Sequence, residues 1–139
     1  GTHLPAAMRD TETLLHGHLA GIEARTAVVL VLAGRDGRGP RAQRARQALA
    51  AVLETGATAG AIVTTDASGA IPARLTPAGR IVVAEAPDLP SAAAALLSTA
   101  VPLQLLTERV ARLRGVNPDP IRRDDPRYLR AAAAADSEA

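Results

Sequence analysis

The chain contains no lysine, cysteine, tryptophan or phenylalanine, and Tyr128 is its single tyrosine. Without cysteine it has no disulfide, thiolate metal ligand or cysteine nucleophile, which fits a cytoplasmic protein. Without lysine it offers no Schiff-base chemistry. With one aromatic ring it has no platform on which nucleic-acid bases could stack.

All 16 basic residues are arginine, and 14 acidic residues leave a net charge of only +2. The high pI of about 10.3 therefore reflects guanidinium groups that stay protonated. A nucleic-acid-binding protein carries a real excess of positive charge on one face, and a membrane span needs an apolar run of about 18 residues. The sequence has neither, so it predicts no nucleic-acid partner and no membrane partner.

The length of 139 residues predicts a single domain over 1–139. Hydrophobic residues make up 47% of the chain, but the sequence contains 32 alanines, and a buried alanine removes much less apolar area from water than leucine does. A core of this composition is thin. We therefore expect elements that approach one another very closely, or a partner that covers them.

Three apolar runs predict buried strands over residues 26–33, 60–64 and 79–84. Their apolar residues are continuous rather than alternating, which is typical of parallel strands covered on both faces. Between the first two strands the pattern predicts a helix from Pro40 to Thr55, which Gly56 ends. The result is a βαβ unit.

A longer helical pattern runs from Ser91 to Arg114 and stops at Gly115, and Pro102 should kink or split it. Its predicted buried side consists of large aliphatic residues: Leu96, Leu97, Val101, Leu105, Leu106, Val110 and Leu113. The segment 65–78 is predicted to be a loop. In the tail, 116–139, a short alanine-rich segment is predicted to be a helical turn or a frayed end.

The segment from Glu12 to His18 (Glu-Thr-Leu-Leu-His-Gly-His) holds the best candidate for chemistry. A helix that ends at His16-Gly17 would place the imidazole at a chain reversal, where glycine permits a positive φ. A histidine there can move protons near neutral pH. The alternative is a surface histidine near a helix C-terminus. His16 and His18 are too few for a metal site, so we predict no metal and no cofactor.

Other polar segments have simpler explanations. The loop 34–39 opens a helix after a strand, where α/β sheets bind anions, but it lacks the glycine spacing and the lysine of phosphate-binding loops. The hydroxyls of residues 64–69 fit turn chemistry. Arg44 and Arg46 point to different faces of their helix, which indicates a solvated surface.

Two segments in the second half of the chain resemble segments of a known protein family. Val101-Pro102-Leu103-Gln104-Leu105-Leu106 precedes a helical stretch, and Pro126-Arg127-Tyr128-Leu129 comes later. Together with Glu12-x-x-Leu15-His16-Gly17, they resemble the C-terminal end of the sugar isomerase (SIS) phosphosugar-binding domains. They are similar to the end of the isomerase half of glucosamine-6-phosphate synthases. The order and spacing agree over essentially the whole chain.

The resemblance implies a three-layer αβα sandwich around a doubly wound parallel sheet, of which this chain is the C-terminal part. It implies a phosphorylated sugar as ligand, and a homodimer or a companion half-domain as partner. In aminotransferase members, the histidine of the His-Gly turn acts at the ring oxygen to open the hexose ring, and it comes from across a subunit interface. The resemblance assigns that role to His16 and an orienting role to Glu12.

The tail departs from the family pattern. A catalytic lysine follows the family's Pro-Arg-x-Leu motif, but here Arg130 and Ala131 follow it, and residues 121–125 are extra. A catalytic lysine can give up its proton or form an imine, but the guanidinium of arginine stays protonated and does neither. The family's phosphate loop and isomerisation base are expected upstream or in another chain. The open alternatives are a sugar-phosphate isomerase or aminotransferase-like enzyme, a non-catalytic phosphosugar-sensing or structural domain, and an unrelated α/β domain.

Overall fold

The computed structural model describes residues 6–34, 39–85, 88–117 and 125–136. The chain divides into two compact units: one is Ala7–Leu103, and the other joins Gly1–Ala6 with Gln104–Ala139. The first unit holds the sheet and the candidate site.

The sheet has three strands in the order β1-β2-β3, and both neighbouring pairs are parallel. The predicted α/β class with a parallel sheet is confirmed, and the arrangement is compatible with an αβα sandwich. The strands are β1 (Ala27–Leu32), β2 (Thr58–Thr64) and β3 (Arg80–Val83). The α-helices are α1 (Thr11–Thr13), α2 (Pro40–Glu54), α3 (Thr65–Ser68), α4 (Ser91–Leu113) and α5 (Pro126–Asp136).

Helix α2 begins and ends at residues that favour those positions. Pro40 occupies the first turn, where its missing N–H costs no hydrogen bond. Gly56 follows the helix with a φ of 78°, a conformation that glycine adopts without strain. The predicted boundaries of this helix are therefore confirmed to within one residue.

The core lies between α2 and one face of the sheet, and small side chains dominate it. Ala42 and Ala45 of α2 and Ala59 and Ala61 of β2 are each at most 4% exposed and belong to one cluster. Larger residues complete the cluster, among them Leu32, Leu49, Val52, Val63 and Ile71. Because alanine ends at Cβ, α2 can lie close to the sheet, as the composition predicts.

The prediction of strands covered on both faces holds only for β2. From Ala59 onward the residues of β2 are buried apart from Gly60. Strand β2 is the central strand, with β1 on one side and β3 on the other. On the edge strands, Val31 and Ile81 share a face with buried Ile62 and are 41% and 42% exposed. Within the described residues, the edge strands are thus incompletely covered.

The connection between β2 and β3, predicted to be a loop, contains helix α3 and a 3₁₀ turn (Ala73–Leu75). Arg80 of β3 organises this connection. Its guanidinium donates to the carbonyl oxygens of Ser68 (3.2 Å) and Ile71 (2.8 Å), and to Oγ1 of Thr76 (3.0 Å). Side-chain hydrogen bonds therefore give order to a segment that lacks a long apolar pattern.

Helix α4 continues through Pro102 without being split, and Gly115 follows its end with a φ of 62°. The predicted buried side is wrong, because five of its seven residues are more than half exposed: Leu96, Leu97, Val101, Leu105 and Leu113. The residues that are buried are smaller: Ala94, Thr99, Pro102 and Ala111. The boundary between the two compact units falls within this helix.

The tail contains helix α5, which is longer than the helical turn considered from the sequence. Pro126 occupies its first position, and Oδ1 of Asp125 accepts a hydrogen bond from the backbone N–H of Arg127 (2.9 Å). An aspartate cap followed by proline is a strong start signal for a helix. None of the described helices is both long and apolar enough to cross a membrane.

We expect Arg80→Met to lower the free energy of unfolding by about 2–3 kcal/mol, because the acceptors of the β2–β3 connection lose a charged donor. Urea unfolding measures the change. The control is Arg74→Met on the same connection, where the side chain is exposed and the loss should stay below about 0.5 kcal/mol. Equal losses in the two variants would contradict this role of Arg80.

Candidate functional site

The candidate site lies on the helical segment that precedes β1. Asp10 caps this segment, since its Oδ1 accepts from the backbone N–H of Thr13 (2.9 Å) and its Oδ2 from the Thr13 hydroxyl (2.6 Å). After α1 the chain forms a π-helical turn (Leu14–His18) and a 3₁₀ turn (Leu19–Gly21). The apolar residues Leu14, Leu19 and Ile22 pack against the core. Packing on that side leaves the polar residues of the segment at the surface.

Glu12 and His16, the two residues that the resemblance singles out, lie side by side. Nε2 of His16 is 3.4 Å from Oε2 of Glu12, and the two side chains are 73% and 56% exposed. Their spacing of four residues places them on one side of a helical turn. The exposed imidazole is accessible to a molecule that approaches from outside the chain.

Arg44 of α2 binds Glu12 with two nitrogens. Its Nη2 donates to Oε2 of Glu12 (2.7 Å), its Nε donates to Oε1, and its Nη1 donates to Oε1 of Gln47 (2.9 Å). Two-pronged contacts between arginine and a carboxylate are stronger and more directional than single ones. The pair also joins the N-terminal segment to α2.

The hydrogen bond from Arg44 lowers the pKa of the Glu12 carboxyl below its ordinary value, outweighing the opposite effect of desolvation. Glu12 is therefore a carboxylate at neutral pH, with both oxygens engaged. Such a group accepts hydrogen bonds and orients a neighbour, but it is a weak proton acceptor. This state fits an orienting role better than a general-base role.

The expected chain reversal at Gly17 is wrong. Gly17 lies inside the π-helical turn, is not among the glycines with positive φ, and has nothing within 4 Å of the place where a Cβ would stand. The helical backbone continues to Gly21 because the apolar residues of this segment anchor it on the core. His16 therefore projects from a helical turn rather than from a tight reversal.

His18 has a different partner from His16. Nε of Arg9 donates to Nε2 of His18 at 3.1 Å, so this ring nitrogen acts as an acceptor. Over the described parts of the chain, no three His, Asp or Glu side chains converge as metal ligands.

The prediction of a solvated helix surface around Arg44 and Arg46 holds only in part. Both residues are half-buried, and Nη1 of Arg46 donates to the carbonyl oxygen of Ala70 at 3.1 Å. Arg44 is thus a site residue that the sequence reasoning missed. No local signal could have found it, because Glu12 and Arg44 are 32 residues apart and only the fold brings them together.

A separate cavity of about 440 Å³ lies at the carboxyl end of β1. Its lining is mainly small and apolar, with Arg41 and Thr99 as its polar members; the other residues are Val31, Ala33, Gly34, Ala92, Ala95 and Leu96. Residues 35–38 of the candidate anion-binding loop lie outside the described residues. Neither Glu12 nor His16 lines this cavity.

The hydroxyl-rich segment that begins at the last residue of β2 makes hydrogen bonds within the chain. Oγ1 of buried Thr64 accepts from the backbone N–H of Gly34 (3.3 Å), and the Ser68 hydroxyl donates to the carbonyl oxygen of Thr65 (2.7 Å). The Ser68 contact is consistent with the predicted turn chemistry, whereas the Thr64 contact joins the end of β2 to Gly34, 30 residues earlier in the chain.

We expect Gly17→Ala to stabilise the protein by about 0.5–1 kcal/mol, because alanine restricts the unfolded chain and fits a helical position. In contrast, Gly56→Ala should destabilise it by about 1–2 kcal/mol, since alanine is strained at a positive φ. Urea unfolding of both variants measures the difference. Destabilisation by Gly17→Ala would show that this glycine needs a conformation that alanine cannot adopt.

The lowered pKa of Glu12 makes part of the stability pH-dependent. A group whose pKa is lower in the folded state stabilises the fold above its unfolded pKa, and this contribution is lost as the pH falls through the folded value. We therefore expect Glu12→Gln to lower the free energy of unfolding at pH 7, and the difference from wild type to shrink as the pH falls below the ordinary glutamate pKa and through the lower folded pKa. Unfolding curves from pH 7 to 3 measure it. A difference that does not depend on pH would rule out the ionised carboxylate as its source.

No known protein family, curated protein or solved structure matches the chain. The candidate site is therefore defined by the contacts among Glu12, His16 and Arg44.

Proposed function

We propose that this chain is the C-terminal part of a cytoplasmic SIS-type domain that binds a phosphorylated sugar, and that His16 promotes opening of the sugar ring. The observation that carries the proposal is the contact between His16 and Glu12 on an exposed turn. The resemblance to SIS domains supplies the substrate class.

Ring opening is a proton-transfer reaction. The bond between the anomeric carbon and the ring oxygen breaks, the ring oxygen takes a proton from the imidazole, and the anomeric hydroxyl returns a proton to the imidazole as the carbonyl forms. An imidazole held close to the ring oxygen can deliver the proton at neutral pH. Because Nε2 of His16 faces Glu12, Nδ1 on the opposite side of the ring is the atom that would meet the substrate.

The exposure of His16 supports a role at a site shared between two subunits. A catalytic histidine that is 73% exposed is open to solvent in the single chain, whereas proton transfer benefits from exclusion of water. A second SIS unit, either another copy or a companion half-domain, would bring the sugar phosphate and cover the imidazole. This arrangement matches the one that the resemblance implies.

A second candidate function is a phosphosugar-sensing or structural domain without catalysis. The observation in its favour is the absence of lysine, because the position that follows Pro-Arg-x-Leu in this chain is Arg130 within α5. A permanently protonated guanidinium neither accepts a proton nor forms an imine at neutral pH. Under this alternative the domain binds the sugar phosphate and leaves it unchanged.

The test is to measure binding and turnover of fructose 6-phosphate and glucosamine 6-phosphate by the natural full-length protein and two variants. We expect His16→Ala to lower kcat about 100-fold or more while leaving Kd within about twofold, since positioned acid–base catalysis contributes about 10²–10⁴-fold. The matched control is His18→Ala, which removes an exposed imidazole two residues away and should leave both constants unchanged.

The outcomes separate the candidates. Turnover that depends on His16 supports the enzyme. Binding without turnover in the wild-type protein supports the sensing domain. If neither sugar phosphate binds, the phosphosugar proposal is wrong, and turnover that survives His16→Ala removes the catalytic role of His16.

A further inference from the structure

We infer that Arg44 is a positioning residue for His16 and acts through Glu12. The inference deepens the proposed function and rests on it for its catalytic meaning. Its structural part, a chain of contacts from α2 to the imidazole, stands on the geometry alone.

The three side chains meet at one oxygen atom. Oε2 of Glu12 lies 2.7 Å from Nη2 of Arg44 and 3.4 Å from Nε2 of His16. The other carboxylate oxygen, Oε1, accepts a hydrogen bond from Nε of the same guanidinium. With both oxygens bound by a planar fork, the carboxylate cannot rotate without losing a hydrogen bond. The oxygen that faces His16 is therefore fixed by Arg44.

The local backbone could not fix Glu12 by itself. Helix α1 has only three residues, and the following π-helical turn has five, whereas isolated helices of fewer than about 12 residues are marginal in water. The Glu12 side chain is also more than half exposed, so packing restrains it only in part. A contact from a longer element is what gives the carboxylate a single orientation.

Arg44 belongs to such an element. It stands in the second turn of the 15-residue helix α2, whose opposite face contributes Ala42, Ala45 and Leu49 to the core. Its own side chain is 37% exposed, and Gln47 one turn later accepts a further hydrogen bond from Nη1. Arg44 thus holds the short N-terminal segment to helix α2, which the core holds in place.

The other charged groups near Glu12 do not replace Arg44. Asp10 is acidic and repels the carboxylate, and its oxygens are occupied by Thr13. His16 is the group to be positioned. Arg9, the nearest other cation in the sequence, donates to His18 and to the carbonyl oxygen of Met8.

The first experiment is an NMR titration of the natural full-length protein with labelled Glu and His side chains. In the wild-type protein the His16 ring resonances should shift as Glu12 titrates, because the two groups touch. In Arg44→Gln the Glu12 transition should move to higher pH, since its main stabilising hydrogen bond is gone. The control is Arg25→Gln, which removes an exposed arginine paired with Glu23 and should leave both signals unchanged.

The second experiment is a double-mutant cycle on kcat and KM with the sugar phosphate that the protein converts. We expect Arg44→Gln to lower kcat about tenfold with little change in KM, and Arg44→Lys, which keeps the charge without the fork, to recover part of the loss. If Arg44 acts through Glu12, Arg44→Gln should lower kcat no further than about twofold in a Glu12→Gln background. Arg25→Gln is again the control.

The results distinguish this inference from the proposed function. If the wild-type protein converts no sugar phosphate, the catalytic proposal is wrong, and the titration alone decides whether Arg44 positions the Glu12–His16 pair. If turnover requires His16 but Arg44→Gln leaves kcat unchanged, the role of Arg44 is overturned and the proposed function stands. His16 resonances that do not respond to Glu12, or equal losses from Arg44→Gln with and without Glu12, also overturn it.

Discussion

Close packing of alanine between α2 and β2 is the contact on which the rest of the structure depends. Ala42 and Ala45 on the helix and Ala59 and Ala61 on the strand belong to one buried cluster. Because such small side chains bury little apolar area each, the cluster must be tight to be stable. A closely seated helix in turn fixes where the side chains on its outer surface stand.

Arg44, one of the three residues of the candidate site, stands on that outer surface of α2. The inner face of α2 holds the helix on the sheet, and Arg44 on its other side binds Glu12 of the N-terminal segment. Leu14 packs the same segment against the core. Apolar packing thus places the segment approximately, and the two-pronged ion pair sets the orientation of the carboxylate beside His16.

Short-range patterns in the sequence predicted the fold well and the site only in part. The parallel strands and the ends of α2 follow from continuous apolar runs and from Pro40 and Gly56, which are local signals. The exposed leucines of α4 and the partner of Glu12 depend on contacts between distant segments. Periodicity shows that a helix has an apolar side, but it does not show whether anything covers that side.

Three arginines hold connecting segments to the sheet and α2: Arg44 binds Glu12 before β1, while Arg46 and Arg80 bind carbonyl oxygens after β2. A lysine in any of these places would begin to lose its charge as the pH approached about 10.4. A guanidinium keeps its charge well beyond that pH. These three attachments therefore keep their charge in alkaline conditions in which a lysine at the same position would lose it.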